Sequence, residues 1–225
     1  MFGNIDFHSA LRLLSIALVP SLLGIILHEV AHGYVARLCG DRTAEEQGRL
    51  TLNPIPHIDP MGLAVFGLTS IAGSFVFGWA KPVPVDPRNF GHAKRDMMLV
   101  SLAGPATNFL LAIAFGFLLL AIVRIFPYNE YHANQAYNFA LQSCQVGVLV
   151  NFGLGWLNLM PIPPLDGSKI LAFFLPDDLA WRFMSWGRYG FIVFLLLLFT
   201  GILGSVLGPL IRYSSGWLLT LLGFN

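Results

Sequence analysis

Residues 13–36 read LLSIALVPSLLGIILHEVAHGYVA, an apolar run broken only by His28, Glu29 and His32. A membrane-spanning helix needs about 20 mostly apolar residues, and this run is long enough. Charged side chains inside a span cost about 2.5–3.5 kcal/mol each on insertion scales, so they indicate function. The run therefore predicts a membrane helix that carries a functional site near its carboxyl end.

The composition of the whole chain supports a membrane protein. Of its 225 residues, 56% are hydrophobic and only 11% are charged, with a mean hydropathy of +0.68. Soluble domains usually contain about 25% charged residues, so lipid is the expected solvent for much of this surface. The net charge of +1 gives no reason to expect nucleic acid as a partner. The two cysteines are too few for a disulfide framework or a zinc knuckle.

Further apolar runs indicate several membrane segments. An uncharged run at 61–80 contains four glycines, which disfavour a regular helix. We predict an all-α integral membrane protein, a helical bundle of about four to six membrane segments with a small β-like re-entrant insert. It forms one membrane-embedded domain over 1–225, with a core at 11–175 and C-terminal membrane segments at 186–225. The remaining apolar runs are 97–123, 140–162, 189–211 and 214–224.

His28, Glu29 and His32 form an HExxH motif. On a helix, residues four apart project from one face, so both imidazoles can reach one zinc ion while the glutamate accepts a proton from water. Catalytic zinc usually takes three protein ligands. The third could come from the acidic loop at 41–46 or from Asp166, which follows a proline-rich break. Asp166 alone would suit a helix cap, but the HExxH motif favours a ligand.

The paired motifs resemble the site-2 protease family of intramembrane zinc metalloproteases, in its compact prokaryotic branch. The resemblance covers about residues 13–170. It implies that His28, His32 and Asp166 hold one zinc ion, that Glu29 activates water, and that Asn158 positions the substrate or stabilises the oxyanion. The segments that carry it are HExxH at 28–32, NLMP at 158–161 with LDG at 165–167, FGWAKPVPV at 77–85 and AGPATN at 103–108.

The sequence departs from this family in two places. We expect the family's first span before the core to be missing, because HExxH begins only 28 residues into the chain. The loop at 124–139 is too short for a PDZ domain, so the means of substrate selection is left open.

Two further groups of residues are expected near a substrate. The prolines in WAKPVPVDP forbid a helix and favour an extended edge segment, which could pair with a substrate strand or serve as a rigid connector. Asn108 is polar within an apolar run and could contact the substrate or make a hydrogen bond between helices. The expected substrate-binding residues are Lys81, Pro82, Val83, Pro84, Val85 and Asn108.

The site is expected to face the cytosol. His28 and His32 lie near the end of the first apolar run, and Asp166 follows the fourth. These two ends lie on the same side of the membrane if 61–80 enters the membrane and returns. Only Arg12, Arg124 and Arg212 then face the other side, against ten of the 13 lysines and arginines. Positive charge marks the cytoplasmic side, which predicts a cytosolic active site. The resemblance to the prokaryotic branch implies that the membrane is a prokaryotic cell membrane.

We interpret the chain as an intramembrane zinc metalloprotease that takes part in regulated intramembrane proteolysis. Its expected partners are the lipid bilayer and a membrane-protein substrate. The alternatives are a zinc-transporting or zinc-binding membrane protein and a protease-like scaffold that does not cut. A transporter would favour several ionisable sites along a path, whereas the sequence contains one cluster. The oligomeric state is not predicted.

Overall fold

A computed structural model describes residues 7–62, 64–65, 79–126 and 134–224. These residues form helices joined by turns and extended segments, with no strand among them. The all-helical fold class is therefore confirmed for this part of the chain. The helices are α1 (Phe7–Leu38), α2 (Thr43–Glu46), α3 (Ala93–Ile125), α4 (Gln135–Asn158), α5 (Asp166–Phe174), α6 (Asp177–Ser185), α7 (Gly187–Phe199) and α8 (Ile202–Leu221), with 3-10 helices at Ile55–His57 and Pro87–Asn89.

Two of these helices are long and apolar enough to cross a membrane. They are the Leu14–Leu38 part of α1, with 25 residues, and the whole of α3, with 33 residues. At 1.5 Å per residue they extend about 37 Å and about 50 Å, more than the hydrocarbon core of about 30 Å. Helices α6 and α7, bent by 61° at their junction, meet the same criteria only as a pair. The described residues thus contain two or three candidate spans. The predicted total of about four to six membrane segments stays a prediction.

Helices α1, α3 and α4 pack against one another, and α5 lies against α3. Helix α8 completes the bundle along α4. Its contact is an apolar cluster formed by Ala112, Val148, Phe152, Leu218 and Leu222. The functional motifs on α1, α3 and the start of α5 are therefore held by the most extensively packed part of the molecule.

The apolar run at 189–211 does not form one continuous helix. Helix α7 ends at Phe199 and α8 begins at Ile202, so the run is divided into two helices. Gly201 between them has a φ of +76°, a left-handed conformation that glycine adopts without steric cost. The run at 214–224, considered separately above, is mostly the second half of α8.

The predicted insert at 61–80 lies mostly outside the described residues. Its carboxyl end is described and forms an isolated antiparallel bridge between Ala80 and Ile58. The next amide, of Lys81, donates to the carbonyl of His57 over 2.8 Å. These contacts return the chain to the 3-10 helix at Ile55–His57, while the β-like, re-entrant path itself stays a prediction.

Candidate metal centre

The two histidines of the HExxH motif project from one face of α1 into the bundle. Both are buried, and their Nε2 atoms lie 3.0 Å apart. The four-residue spacing places them one helical turn apart, as the motif requires. Two imidazole nitrogens thus converge on one point next to α3.

Asp166 reaches this point from the start of α5. Its Oδ2 atom lies 3.2 Å from His28 Nε2 and 3.1 Å from His32 Nε2, while Oδ1 lies 3.2 Å from Lys169 Nζ. Gly167 permits this approach, because a β-carbon there would overlap the carbonyl of Leu159 at the end of α4. In the described residues, His28, His32 and Asp166 are the one group of three or more potential metal ligands, with ligand atoms within 4.8 Å of one another.

The hydrogen bonds behind the histidines determine which ring nitrogens face inward. His32 Nδ1 lies 2.7 Å from the carbonyl oxygen of Val100, which can only accept, so Nδ1 carries the proton. His28 Nδ1 lies 2.6 Å from Asn108 Oδ1. The amide of Asn108 cannot be reversed, because its nitrogen donates to the carbonyl of Gly24 over 3.0 Å. When the rings are neutral, as metal ligation requires, each therefore directs an Nε2 lone pair toward Asp166.

These donors fit a zinc ion. Two lone pairs and a carboxylate oxygen 3.0–3.2 Å apart repel one another unless a cation lies between them. In tetrahedral zinc sites with bonds of about 2.0–2.2 Å, ligand atoms are about 3.3–3.6 Å apart, close to this arrangement. Two imidazoles and a carboxylate are also a common ligand set for catalytic zinc.

Asn108 belongs to a buried network between three helices. It is fully buried, accepts from His28, and donates to Gly24 and to Asn151 Oδ1, the latter over 3.1 Å. Asn151 in turn donates to the carbonyl of Gly147 over 2.9 Å. This is the hydrogen bond between helices that the sequence left open as the alternative to substrate contact. Asn108 and Asn151 thereby orient a ligand, as partners behind metal-bound histidines commonly do.

Gly104 provides the wall of the site on α3. A β-carbon at position 104 would lie 2.5 Å from His32 Nε2 and 2.6 Å from His28 Nε2, closer than non-bonded atoms approach. The glycine therefore lets α3 come directly against both ligand atoms. Gly104 belongs to the AGPATN segment, but this role was not predicted, although a glycine inside an apolar helix was a visible signal.

We expect Gly104→Ala to weaken zinc binding by at least about 10–100-fold, as for changes around metal ligands elsewhere. The added methyl group would displace one or both imidazoles. Gly153→Ala is a matched control, because a β-carbon there would meet its nearest neighbour, Ile211, at 3.5 Å. Zinc content after dialysis measures the effect. Equal zinc content in the two variants would contradict this role for Gly104.

Glu29 lies on the same turn of α1 and contacts the proline-rich segment after the insert. Its Oε2 atom accepts a hydrogen bond of 2.8 Å from the amide of Val83. Val83 is itself buried, whereas Lys81 and Pro82 are exposed. We call Lys81–Val85 the connector. The structure thus places one predicted substrate segment directly beside the predicted base.

Asn158 lies at the carboxyl end of α4 and is partly buried. Its side-chain nitrogen donates to the carbonyl of Leu154 over 3.0 Å, within its own helix. An amide nitrogen carries two hydrogens, so this bond leaves a second donor available. The role of Asn158 in substrate positioning or oxyanion binding stays a prediction.

Comparisons with known proteins identify relatives over most of the chain. The chain is 38% identical over 203 residues to "Putative zinc metalloprotease YwhC" of Bacillus subtilis, a match that covers 90% of this chain and 88% of that protein. Rip2 of Mycolicibacterium smegmatis is 35% identical over 183 residues, covering 80% of this chain and 64% of Rip2. MJ0611 of Methanocaldococcus jannaschii is 28% identical over 199 residues, covering 87% of each chain.

All three relatives carry the same zinc metalloprotease description. No family model matches the chain, and no solved structure matches it. The identity to YwhC extends over nearly the full length of both proteins, and zinc is the cofactor that these names state. The chain therefore belongs to the site-2 protease family of zinc metalloproteases.

Proposed function

We propose that this protein is an intramembrane zinc metalloprotease that hydrolyses peptide bonds in or near transmembrane segments of membrane-protein substrates. The observation that carries this proposal is the position of the buried ligand cluster. His28 and His32 belong to a helix long enough to cross a membrane, and the opposite wall is formed by a second such helix, α3. A hydrolytic site inside this pair of helices would meet substrates within or beside the bilayer.

In this proposal His28, His32 and Asp166 hold the zinc ion. Zinc in such a site acts as a Lewis acid and makes water a nucleophile near neutral pH. Asn108 and the carbonyl of Val100 keep the two imidazoles in the tautomer that binds metal. Lys169 pairs with the outer carboxylate oxygen of Asp166, which leaves the inner oxygen directed at the histidines.

Glu29 is the proposed general base. It takes a proton from the attacking water and returns it to the leaving amine, so that one carboxylate serves both halves of the hydrolysis. Asn158 is the proposed donor to the developing oxyanion, through the amide hydrogen not used by Leu154. The connector is the proposed edge to which an unwound substrate segment would add by backbone hydrogen bonds.

The proposed substrate, a transmembrane helix, must change its conformation before it can be cut. A transmembrane helix keeps its carbonyls in its own hydrogen bonds, so a substrate must unwind locally before attack. Regulated cleavage of such a substrate, with the site toward the cytosol, is the proposed cellular role. Support for the orientation is the charge asymmetry along the sequence, and cysteine labelling from each face of the membrane would measure it.

The proposal is tested with purified protein in detergent, incubated with unfolded casein and with a synthetic transmembrane peptide. We expect cleavage of both, loss of cleavage after zinc removal by a chelator, and recovery on adding zinc. Recovery matters because it separates loss of the metal from irreversible unfolding. Zinc binding without cleavage of either substrate would contradict the proposal and favour the non-cutting scaffold.

A further inference from the structure

A buried arginine holds the connector by hydrogen bonds to its backbone. Arg49 is 6% exposed, and its Nη2 atom donates to the carbonyl of Lys81 over 2.7 Å and to that of Pro82 over 3.3 Å. Lys81 and Pro82 themselves are exposed. The guanidinium group therefore lies under the connector and holds two consecutive carbonyl groups from its inner side.

The environment of Arg49 is unusual for a buried cation. In the part of the chain that the structure describes, no carboxylate forms an ion pair with Arg49, and its Nε atom has no hydrogen-bond partner. A buried charge without an ionic partner is unfavourable, so carbonyl dipoles are its main compensation. Arg37, Arg88 and Arg95, in contrast, each pair with a carboxylate.

The carbonyls that Arg49 holds immediately precede the residue that contacts Glu29. Pro82 and Pro84 lack amide hydrogens, so Val83 supplies the one backbone donor of this tripeptide. That donor lies 2.8 Å from Glu29 Oε2. A shift of the connector by one residue would place a proline against Glu29 and remove the hydrogen bond. The alternation of proline and valine therefore makes this contact depend on register.

Three other contacts also hold the connector, beginning with the Lys81 amide, which donates to the carbonyl of His57 over 2.8 Å. The Val83 side chain packs on Gly33 of α1, where a β-carbon would lie 2.9 Å from Val83 Cγ1.

Asp41 is fully buried and accepts a hydrogen bond of 2.7 Å from the amide of Asp86, beyond the connector. Burial acts to raise the pKa of Asp41, but hydrogen bonds from Thr43, Asn89 and Asp86 outweigh it and hold that pKa below its usual value. Asp41 thus anchors the far end, and Arg49 the residues directly before Val83.

We propose that Arg49 is a positioning residue for Glu29. By holding the carbonyls of Lys81 and Pro82, it sets the register at which the Val83 amide meets and orients the Glu29 carboxylate. The inference rests on the proposed role of Glu29 as general base. It predicts that Arg49 affects catalysis while touching neither a metal ligand nor Glu29 itself.

The first test measures geometry and needs no substrate. Hydrogen exchange at the Val83 amide is followed by NMR in detergent-solubilised protein made with isotope-labelled valine. We expect protection in the wild type, loss of protection in Glu29→Ala, and exchange at least about tenfold faster in Arg49→Gln because the local contact opens more often. Arg42→Gln is the matched control, since Arg42 is exposed in the same loop. Wild-type exchange in Arg49→Gln would overturn the proposal, whether or not the protein proves to be a protease.

The second test measures turnover. We expect Arg49→Gln to lower kcat by up to about 100-fold, the loss that a misplaced catalytic group can cause, with zinc content and KM nearly unchanged. Arg49→Lys should recover part of kcat, because an ammonium group can hold one carbonyl. A raised KM with unchanged kcat would overturn the proposal, because Arg49 would then act on substrate binding.

A double variant tests the route of the effect. Val83→Pro removes the amide hydrogen that contacts Glu29. If Arg49 acts through this hydrogen, adding Arg49→Gln to Val83→Pro should lower kcat no further, because effects on one chain of contacts are not additive. Independent, multiplying losses in kcat would overturn the proposed route.

Discussion

Replacing Glu29 with glutamine should leave zinc bound and lower peptide-bond cleavage by about 10²–10⁴-fold, the usual contribution of a general base. The reason is chemical and not steric. Glutamine has the shape of glutamate but cannot accept a proton from water at neutral pH. The ligand atoms of His28, His32 and Asp166 are untouched by the change, so the metal should remain.

The contact between Glu29 and Val83 makes glutamine the appropriate replacement. The carbonyl oxygen of a glutamine side chain can still accept the hydrogen bond that Glu29 Oε2 receives over 2.8 Å. Alanine would remove both the base and the anchor of the connector. We therefore expect Glu29→Ala to be at least as inactive as Glu29→Gln and to show a more exposed Val83 amide.

The measurement is turnover on casein or a transmembrane peptide at matched zinc content, determined by metal analysis of the same preparations. Wild-type turnover in purified Glu29→Gln would exclude Glu29 as the general base. Loss of zinc from this variant would also contradict the assignment, because it would make Glu29 part of the metal site.

The second large effect concerns the metal. Asp166→Asn should weaken zinc binding by more than about 100-fold, the upper end of losses when outer partners of metal ligands are changed, and should abolish cleavage. The carboxylate oxygen lies 3.2 Å and 3.1 Å from the two histidine nitrogens, so its negative charge is at the point where the cation would sit. The amide that replaces it is neutral and a poorer ligand.

Asp178→Asn is the control for this prediction. Asp178 is exposed at the start of α6, so the same chemical change there should alter neither zinc content nor turnover. Zinc content after dialysis and turnover with added zinc are compared for the two variants. If Asp166→Asn retained its metal through dialysis, a residue other than Asp166 would have to supply the third ligand.

The ligands of the metal centre could be predicted from local patterns in the sequence. The spacing of HExxH predicted that His28 and His32 share a helix face, because the period of an α-helix is local and independent of the rest of the fold. The prolines at 161–164 predicted a break before Asp166 for an equally local reason. The structure brings these three residues together, with ligand atoms within 4.8 Å.

The division of the run at 189–211 was not predicted, although Gly201 was visible. Hydropathy averages over many residues, so one glycine between two strongly apolar stretches does not interrupt the signal. A left-handed φ at this position ends α7 and starts α8. The composition of the run is apolar throughout, as predicted, but the backbone conformation of one residue divides it into two helices.

The sequence by itself determined the membrane class, the all-helical architecture of the described residues and the zinc metalloprotease family, because composition and short-range spacing carry these properties. Only the tertiary structure decided the contacts around the site. Gly104 against the imidazoles, Asn108 behind His28, and Arg49 under the connector join residues that are distant along the chain. Such contacts depend on how helices and loops pack in three dimensions, and packing is a property of pairs of surfaces that no local pattern in one chain encodes.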